Sequence, residues 1–214
     1  MGEVLLKAEK IDKHFGITHA LDHVSITFHK GEIHALIGEN GSGKSTLTSC
    51  LTGIYKKDSG TFILDGKEVS AANQVDGNHQ GVAIIVQEIG TLSGLTVAEN
   101  IFLGNEDQFT KFGIKNTAAM NKKAQEYLDS YGFNYIDAAK TIDDYNFEDR
   151  KLIEIVKSTY FNPKVLVVDE TTTALGQKGR EELFKVMHKM RDMGSCVIFI
   201  SHDLEEVIEQ SDQI

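Results

Sequence analysis

The chain has 214 residues, 41% of them hydrophobic and 25% charged, which is typical of a globular protein with a sizeable buried core. Its formal net charge of −10 argues against a nucleic-acid-binding surface, because phosphate backbones attract basic proteins. No apolar run approaches the ~18 residues of a membrane span, and the opening MGEVLLKAEK is too short and too charged for a signal peptide. Gly2 does not begin a myristoylation motif, because position 6 is Leu. Any link to a membrane is therefore expected to run through a partner.

Short β-rich runs alternate with amphipathic stretches along the chain. The predicted strands are VSITF (24–28), IHALIG (33–38), TFILDG (61–66), VAIIVQ (82–87), VLVVDE (165–170) and VIFIS (197–201). The predicted helices are 44–54, 96–103, 118–131, 148–160, 177–192 and 203–210. Continuous apolar strands indicate a parallel sheet buried on both faces, so the pattern predicts an α/β fold.

The stretch from about 88 to 160 contains no convincing strand, and we expect a helical insertion there. The two cysteines, Cys50 and Cys196, lie in apolar contexts without metal-ligand spacing and predict reduced core thiols. The chain stops at SDQI, where the pattern predicts the start of another strand, so we expect a fragment of a longer protein.

Residues 38–46 read GENGSGKST, a full match to G-x-x-x-x-G-K-[ST] between a predicted strand and a predicted helix. That context disfavours the alternative, a glycine-rich turn with an incidental lysine. The glycines let successive N–H groups point at phosphate oxygens, and the helix N-terminus adds a favourable potential. Lys44 is predicted to reach the β- and γ-phosphates, Ser45 to ligate Mg²⁺, and Thr46 to hydrogen-bond the α-phosphate. The residues predicted to bind nucleotide in this loop are Gly38, Asn40, Gly41, Ser42, Gly43, Lys44, Ser45 and Thr46.

Two adjacent acids follow the buried strand VLVVDE. Asp169 is predicted to hold the Mg²⁺ shell, and Glu170 to polarise an attacking water. Two acids at a strand end are weak evidence by themselves, because solvated loop carboxylates are common. Together with the phosphate-binding loop they indicate a nucleotide-hydrolysing site.

With these motifs in place, the sequence resembles the nucleotide-binding domain of ABC transporters over nearly its whole length. The resemblance implies that Phe15 stacks on adenine and that Gln87, which ends the strand VAIIVQ, contacts Mg²⁺ and the attacking water and senses the membrane partner. It also implies that Glu170 is the catalytic glutamate and that His202, in ISHDLEEV, contacts the γ-phosphate. Taken alone, a core Phe, a strand-end Gln and a structural His would be the simpler interpretations.

The resemblance is strongest to the ATPases of simple-sugar importers of the ribose, galactose and xylose type, through IGENGSGKSTL, LTVAENIFLG and FISHDLEEV. It implies a P-loop, RecA-like core with an antiparallel β subdomain in 1–87 and 161–214, and a helical subdomain in 88–160. The C-terminal strands of the core are expected to be missing. The implied partners are a second cassette in the same native chain, membrane permease subunits and, indirectly, a solute-binding protein, with no nucleic acid. The cassette is expected at the cytoplasmic face of the membrane, although the fragment itself is expected to be soluble.

Three segments of the chain depart from the family pattern. Thr171 replaces a proline, since DEPTAAL is here DETTTAL, and the following loop reads ALGQ without its usual Asp or Thr. The signature LSGGQ or LSVGQ corresponds here to YNFED (145–149). The degenerate signature comprises Tyr145, Asn146, Phe147, Glu148 and Asp149.

The signature change alters the electrostatics of a helix start. In the family dimer, the signature serine, the glycine N–H and the helix dipole bind the γ-phosphate held by the opposite subunit. Glu148 and Asp149 would place carboxylates there, and unit charges 4 Å apart repel by about 4 kcal/mol at an effective dielectric of 20. As local structure the same residues are favourable, because Asn146 can cap the helix and acids suit its first turn. We expect a complete ATP and Mg²⁺ site beside a signature that cannot serve a partner.

Two other functions remain open at this point. One is a soluble ABC ATPase that acts in translation or DNA repair, which the acidic total and the importer-like TVAENIFLG disfavour. The other is a regulatory cassette that binds ATP without turnover, which the intact Glu170 and His202 disfavour.

Overall fold

The computed structural model describes residues 2–86 and 90–214. Its strands are β1 (Val4–Phe15), β2 (Thr18–His29), β3 (Ile33–Leu36), β4 (Ser59–Leu64), β5 (Lys67–Val69), β6 (Val82–Ile85), β7 (Thr110–Lys111), β8 (Ile114–Lys115), β9 (Val165–Asp169) and β10 (Cys196–Ile200). Its α-helices are α1 (Lys44–Leu51), α2 (Gln74–His79), α3 (Val97–Ile101), α4 (Thr117–Ser130), α5 (Phe147–Thr159), α6 (Gln177–Asp192) and α7 (Leu204–Gln210).

Two four-stranded sheets form the body of the molecule. One is antiparallel with the order β2-β1-β4-β5, and the other is parallel with the order β3-β10-β9-β6. The predicted α/β fold with a parallel sheet is therefore confirmed.

The parallel sheet separates two hydrophobic clusters, because alternate residues of a strand point to opposite faces. On β9, Leu166 and Val168 join the cluster that contains the helices of the insertion, whereas Val165 and Val167 join the cluster of the antiparallel sheet and α1. Burial on both faces explains why these strands are continuous apolar runs in the sequence.

The prediction that residues 88–160 contain no strand is wrong. A two-stranded hairpin, β7 with β8, lies inside this stretch. Its turn residues, Phe112 and Gly113, both have positive φ (52° and 78°), as a tight hairpin turn requires. Strands of two residues are too short to show an alternating pattern, and Phe112 is 95% exposed, so no apolar periodicity marked them.

Other differences concern edges and surfaces. The sequence pattern did not predict β1, β5 or α2, and it placed β2 only at 24–28. The strand β1 carries many charged residues because much of it is exposed. The predicted helix 177–192 coincides with α6. The division of the chain at 88 and 160 into a core and a helical subdomain stays a prediction. Among the described residues, no helix has the length and apolar character needed to cross a membrane.

Candidate functional site

The phosphate-binding loop lies between β3 and α1. Gly38, Gly41 and Gly43 have φ of 150°, 83° and 93°. A Cβ on Gly43 would lie 2.8 Å from the carbonyl oxygen of Ala20, so only glycine fits there. The loop encloses a cavity of about 140 Å³ whose lining includes Glu170, from the end of β9.

Lys44 points back into its own loop. Its Nζ donates to the carbonyl oxygens of Gly38 (2.8 Å) and Glu39 (3.0 Å) and to Oγ of Ser42 (3.4 Å). The ammonium group therefore lies within the curl of the loop, where its charge faces the space that the loop encloses.

Ser45 and Asp169 meet at the base of the same loop. Ser45 Oγ donates to Asp169 Oδ1 over 3.1 Å, joining the start of α1 to the end of β9. Partial burial raises the pKa of Asp169 above 3.8, the hydrogen bond from Ser45 opposes this, and the neighbouring Glu170 raises the pKa further. A hydroxyl and a carboxylate at this spacing suit a hard cation, because neighbouring ligands of an octahedral Mg²⁺ lie about 3 Å apart.

Glu170 and His202 form the second pair of the site. His202 Nε2 lies 2.7 Å from Glu170 Oε1. The pair is close because β9 and β10 are parallel neighbours in which Asp169 is paired with Ile200. Glu170 has a left-handed backbone (φ 46°), which is uncommon for a residue other than glycine, and its N–H donates to the Ile200 carbonyl over 2.9 Å. The tertiary structure thus holds this carboxylate in an unusual conformation beside the phosphate-binding loop.

Phe15 lies on the surface at the end of β1. Its ring is 42% exposed, meets the ring of Tyr55 edge-to-face at a centroid distance of 5.1 Å, and has Lys13 Nζ at 5.1 Å. Tyr55 also lines a cleft that contains Ser45, Asp169 and Glu170. An exposed aromatic face beside a cation suits the stacking of a planar base. Gln87, the predicted sensor and Mg²⁺ ligand, lies outside the described residues.

A buried ion pair flanks the undescribed residues 87–89. Lys151, which is 0% exposed, donates to Glu154 Oε2 over 3.0 Å and to the carbonyl oxygen of Val86. The same Glu154 oxygen accepts the N–H of Gly90 over 3.1 Å. These contacts join α5, which begins within YNFED, to both sides of the segment that contains Gln87.

Three acids around the start of α5, Asp143, Glu148 and Asp149, accept hydrogen bonds from other residues of the chain. Asn146 caps the helix, since its Oδ1 accepts the N–H of Asp149 over 2.9 Å, as predicted. Asp143 accepts the N–H of Gly94 (2.8 Å) and the hydroxyl of Ser93 (2.8 Å), and these bonds hold its pKa below 3.8.

The carboxylates of Asp149 and Glu148 likewise accept hydrogen bonds. Tyr135 donates to Asp149 Oδ1 over 3.1 Å. Burial is the larger cause that raises the pKa of Tyr135, and the negative charge of Asp149 is the next. Glu148 Oε1 accepts the N–H of Gly179 over 3.0 Å. Gly179 lies in the first turn of α6, whose N-cap, Gly176, has no side chain to supply a cap. Glu148 therefore caps a second helix, a contact that the sequence did not predict.

Comparison with known proteins places these features in a family. Residues 21–173 match the ABC transporter family. The chain belongs to the ABC transporter family.

Among relatives of the chain, the ribose import ATP-binding protein RbsA of Clostridium perfringens is 39% identical over 211 residues, which is 98% of this chain and 42% of that protein. The galactofuranose transporter ATP-binding protein YtfR of Escherichia coli K12 is 37% identical over 210 residues, which is 98% of this chain and 41% of that protein. The chain thus spans less than half the length of these curated relatives. A crystal structure of a nucleotide-free ATP-binding cassette from an ABC transporter superposes with a TM-score of 0.82 at 28% identity, covering 98% of this chain and 85% of that one.

Within this ABC cassette, two further residues adjoin the site: Tyr55, which the sequence did not indicate, and Thr171, which the sequence marked only as a departure from the family pattern. Tyr55 supports Phe15, and its only signal is an aromatic residue placed shortly after the P-loop helix. Thr171, at the position of the family proline, is fully buried, and its hydroxyl donates to the carbonyl oxygens of Ile85 (3.3 Å) and Asp169 (3.2 Å). The buried hydroxyl that this substitution introduces therefore has hydrogen-bond acceptors.

Proposed function

We propose that the chain binds Mg·ATP and hydrolyses it as the ATP-binding cassette of an importer for a simple sugar. The observation that carries the proposal is the convergence of five side chains at one loop: the Lys44 ammonium, the Ser45–Asp169 pair and the Glu170–His202 pair. Family membership and the names of the relatives, which denote ribose and galactofuranose transport proteins, support the same function.

The residues present fit the nucleotide and the metal. Glycines at Gly38, Gly41 and Gly43 leave the backbone open toward phosphate, and Lys44 supplies a positive charge in the same space. Ser45 and Asp169 offer hard oxygen ligands for Mg²⁺. When bound, Mg²⁺ would neutralise charge that develops on the phosphate oxygens during transfer.

The geometry suggests how the chain's own groups act. Lys44 exchanges its loop carbonyls for the β- and γ-phosphate oxygens. Glu170 accepts a hydrogen bond from a water, directs it in line at the γ-phosphorus and takes up its proton. As the new P–O bond forms, the bond to the β–γ bridging oxygen breaks and ADP leaves with that oxygen. His202, 2.7 Å from Glu170, orients that carboxylate and can donate to the γ-phosphate.

The partners follow from the proposed importer. We infer docking on membrane permease subunits at the cytoplasmic face, near Gln87 and the helical stretch, with a solute-binding protein acting through the permease. A second cassette, in the part of the native protein that corresponds to the rest of the relatives' length, would complete the two composite sites. Docking of the permease near Gln87 is consistent with the Lys151–Glu154 ion pair, because these two residues of α5 contact Val86 and Gly90 on either side of residues 87–89.

The proposal is tested by nucleotide-dependent thermal stabilisation of Lys44→Ala. In the wild type, Mg·ATP at 100 times its Kd should raise the free energy of unfolding by about 2.7 kcal/mol, or Tm by about 5–10 °C. In Lys44→Ala the rise should vanish. The variant also loses the hydrogen bonds of Lys44 to its own loop, so the measured quantity is the change on adding nucleotide and not the absolute Tm.

Lys122→Ala is the matched control, because it removes an exposed lysine of α4 with a side chain that is 79% exposed. It should respond to nucleotide as the wild type does. An unchanged shift in Lys44→Ala would exclude this loop as the nucleotide site.

A further inference from the structure

A buried carboxylate at the β1–β2 hairpin is surrounded by three histidines. Asp12 is 6% exposed. Its Oδ1 lies 3.1 Å from His14 Nδ1, and its Oδ2 lies 2.9 Å from His19 Nε2 and 3.4 Å from His23 Nδ1. The rings of His14 and His19 stack face to face with centroids 3.9 Å apart. The nucleotide site described above uses none of these four side chains.

We propose that Asp12, His14 and His19 bind a Zn²⁺-like transition-metal cation, with His23 as a further ligand. One donor atom from each of the first three residues lies within 4.8 Å of the other two. Ligands of a tetrahedral Zn²⁺ at bond lengths of about 2.0–2.1 Å are about 3.3 Å apart. The spacings of 2.9 Å from His19 and 3.1 Å from His14, each to a different oxygen of Asp12, are close to that value. Imidazole nitrogens with one carboxylate favour Zn²⁺ over Mg²⁺ or Ca²⁺, which prefer oxygen ligands.

A second carboxylate adjoins the cluster at His23. Asp22 Oδ1 lies 2.9 Å from His23 Nδ1, a contact that a metal bound through that nitrogen would replace.

Asp58 holds the strand on the other side of the cluster. Its Oδ2 accepts the backbone N–H of His14 over 2.6 Å, and its Oδ1 pairs with Lys13 Nζ at 3.2 Å. The positive charge of Lys13 would repel a metal cation, but the ion pair with Asp58 compensates the charge of this lysine.

A second histidine cluster, formed by His29, Glu32 and His34, is less suitable. His34 Nε2 already accepts the backbone N–H of His29 over 2.9 Å, so its lone pair is committed. In the cluster around Asp12, by contrast, the nitrogens of His14 and His19 face a carboxylate, and a bound cation would replace the protons that these nitrogens donate to it.

The site would brace the turn that carries Phe15. His14 and His19 are cross-strand partners of β1 and β2, and Phe15 pairs with Thr18 immediately beyond them. A cation bound to both strands fixes the two ends of this turn. Bound metal is therefore expected to reduce the motion of the proposed adenine-stacking residue, a consequence that rests on the proposed function although the metal site does not.

The experiment measures binding of Zn²⁺ by calorimetry and of Co²⁺ by visible absorption, on the metal-stripped chain without nucleotide or Mg²⁺. The wild type should bind one equivalent of Zn²⁺ with micromolar or tighter affinity, and Co²⁺ should give the intense bands of four-coordinate geometry. The double variant His14→Gln/His19→Gln should bind Zn²⁺ at least about 100-fold more weakly, and His23→Gln about 10-fold more weakly. Both histidines of the double variant are partly exposed, so glutamine should fit.

Three controls separate this site from others. His79→Gln, on α2, should bind like the wild type, as should His29→Gln, which removes the rival cluster. Lys44→Ala should also bind Zn²⁺ normally, so that failure of the nucleotide site is distinguishable from failure of this one. Absence of binding in the wild type, equal binding in the double variant, or loss of binding in His29→Gln would each overturn the proposal.

Discussion

At the scale of single residues, Asp169 illustrates a conflict between function and stability. Its carboxylate is drawn into a partly buried position at the end of β9, where desolvation raises its pKa above 3.8. An acid whose pKa is raised on folding binds its proton more tightly in the folded state. The ionised form therefore costs stability, and this cost appears as the pH rises above 3.8 and is complete above the folded pKa.

We therefore expect Asp169→Asn to raise the Tm of the nucleotide-free chain at pH 7.5. Asparagine is isosteric and its oxygen can still accept the Ser45 hydroxyl, so the change removes mainly the charge. The advantage over the wild type should shrink as the pH is lowered toward 4, while the Mg²⁺-dependent part of ATP stabilisation should disappear. Thermal unfolding of both proteins across this pH range measures the effect.

Asp144→Asn is the matched control, because it neutralises an exposed acid. It should change Tm little at either pH. A variant Asp169→Asn that is less stable than the wild type at pH 7.5 would show that interactions of the carboxylate outweigh its desolvation.

At the scale of elements, the degenerate signature has a structural use. The start of α6 has Gly176 at its N-cap, and Glu148 from the start of α5 accepts the Gly179 N–H in its place. One carboxylate thus ties two helix starts together. A glycine at position 148, as in the family signature, would leave α6 without this cap.

We expect Glu148→Ala to lower the free energy of unfolding by about 0.5–2 kcal/mol, the usual cost of a lost cap. Adding Gly176→Ser should recover about half of this or more, because the extended backbone of Gly176 (φ −68°, ψ 175°) accommodates serine and its hydroxyl can cap α6. Denaturant unfolding of the two single variants and the double variant gives the coupling between the sites.

Glu182→Ala provides the comparison, since it removes an acid of α6 that pairs with the exposed Lys185 at 2.9 Å. Its cost should stay below about 0.5 kcal/mol. If Glu148→Ala were no more costly than this control, or if Gly176→Ser gave no recovery, the capping role would be wrong.

At the scale of the whole molecule, the proposed nucleotide site favours ATP hydrolysis, whereas the proposed signature disfavours hydrolysis at the partner's site. The groups proposed for nucleotide chemistry, Lys44, Asp169, Glu170 and His202, all lie within this chain. The proposed signature would serve the partner's nucleotide, and its carboxylates would place negative charge near that γ-phosphate even though Glu148 and Asp149 are hydrogen-bonded. The proposed two-cassette transporter is therefore expected to be asymmetric, with one hydrolytic site and one degenerate site.

In the assembled transporter we expect Glu170→Gln to remove nearly all ATPase activity, a loss of 100-fold or more. Mutation of the partner cassette's corresponding acid should matter little, because charge repulsion of several kcal/mol exceeds the contribution of one lost hydrogen bond. Steady-state phosphate release from the two variant transporters measures the asymmetry. The isolated chain should be a weak ATPase, since a homodimer would present YNFED to both nucleotides.

Strong cooperative turnover by the isolated chain would contradict this expectation. So would a transporter in which the partner's acid is essential and restoration of Ser and Gly at Asn146 and Glu148 has no effect. The latter double variant also removes the α6 cap, so Gly176→Ser should accompany it to keep stability comparable.

The sequence by itself determined the parts of this protein that depend on local order. The phosphate-binding loop was predictable because nine consecutive residues, 38–46, carry both its backbone freedom and its chemistry. The parallel strands were predictable because burial on two faces forces continuous apolar runs. The start of α5 was predictable because a helix start draws its cap from its own residues, as Asn146 does.

Tertiary structure alone decided contacts between distant segments. Glu148 reaches Gly179 only because α5 and α6 begin side by side. His202 meets Glu170 because parallel pairing aligns the ends of β9 and β10. The cluster of histidines around Asp12 depends on register shifts along β1 and β2, which choose the side chains that face one another. A linear pattern records which residue types are present, but pairing register and packing fix the distances between them, and those distances decide whether a carboxylate caps a helix, orients a base or binds a cation.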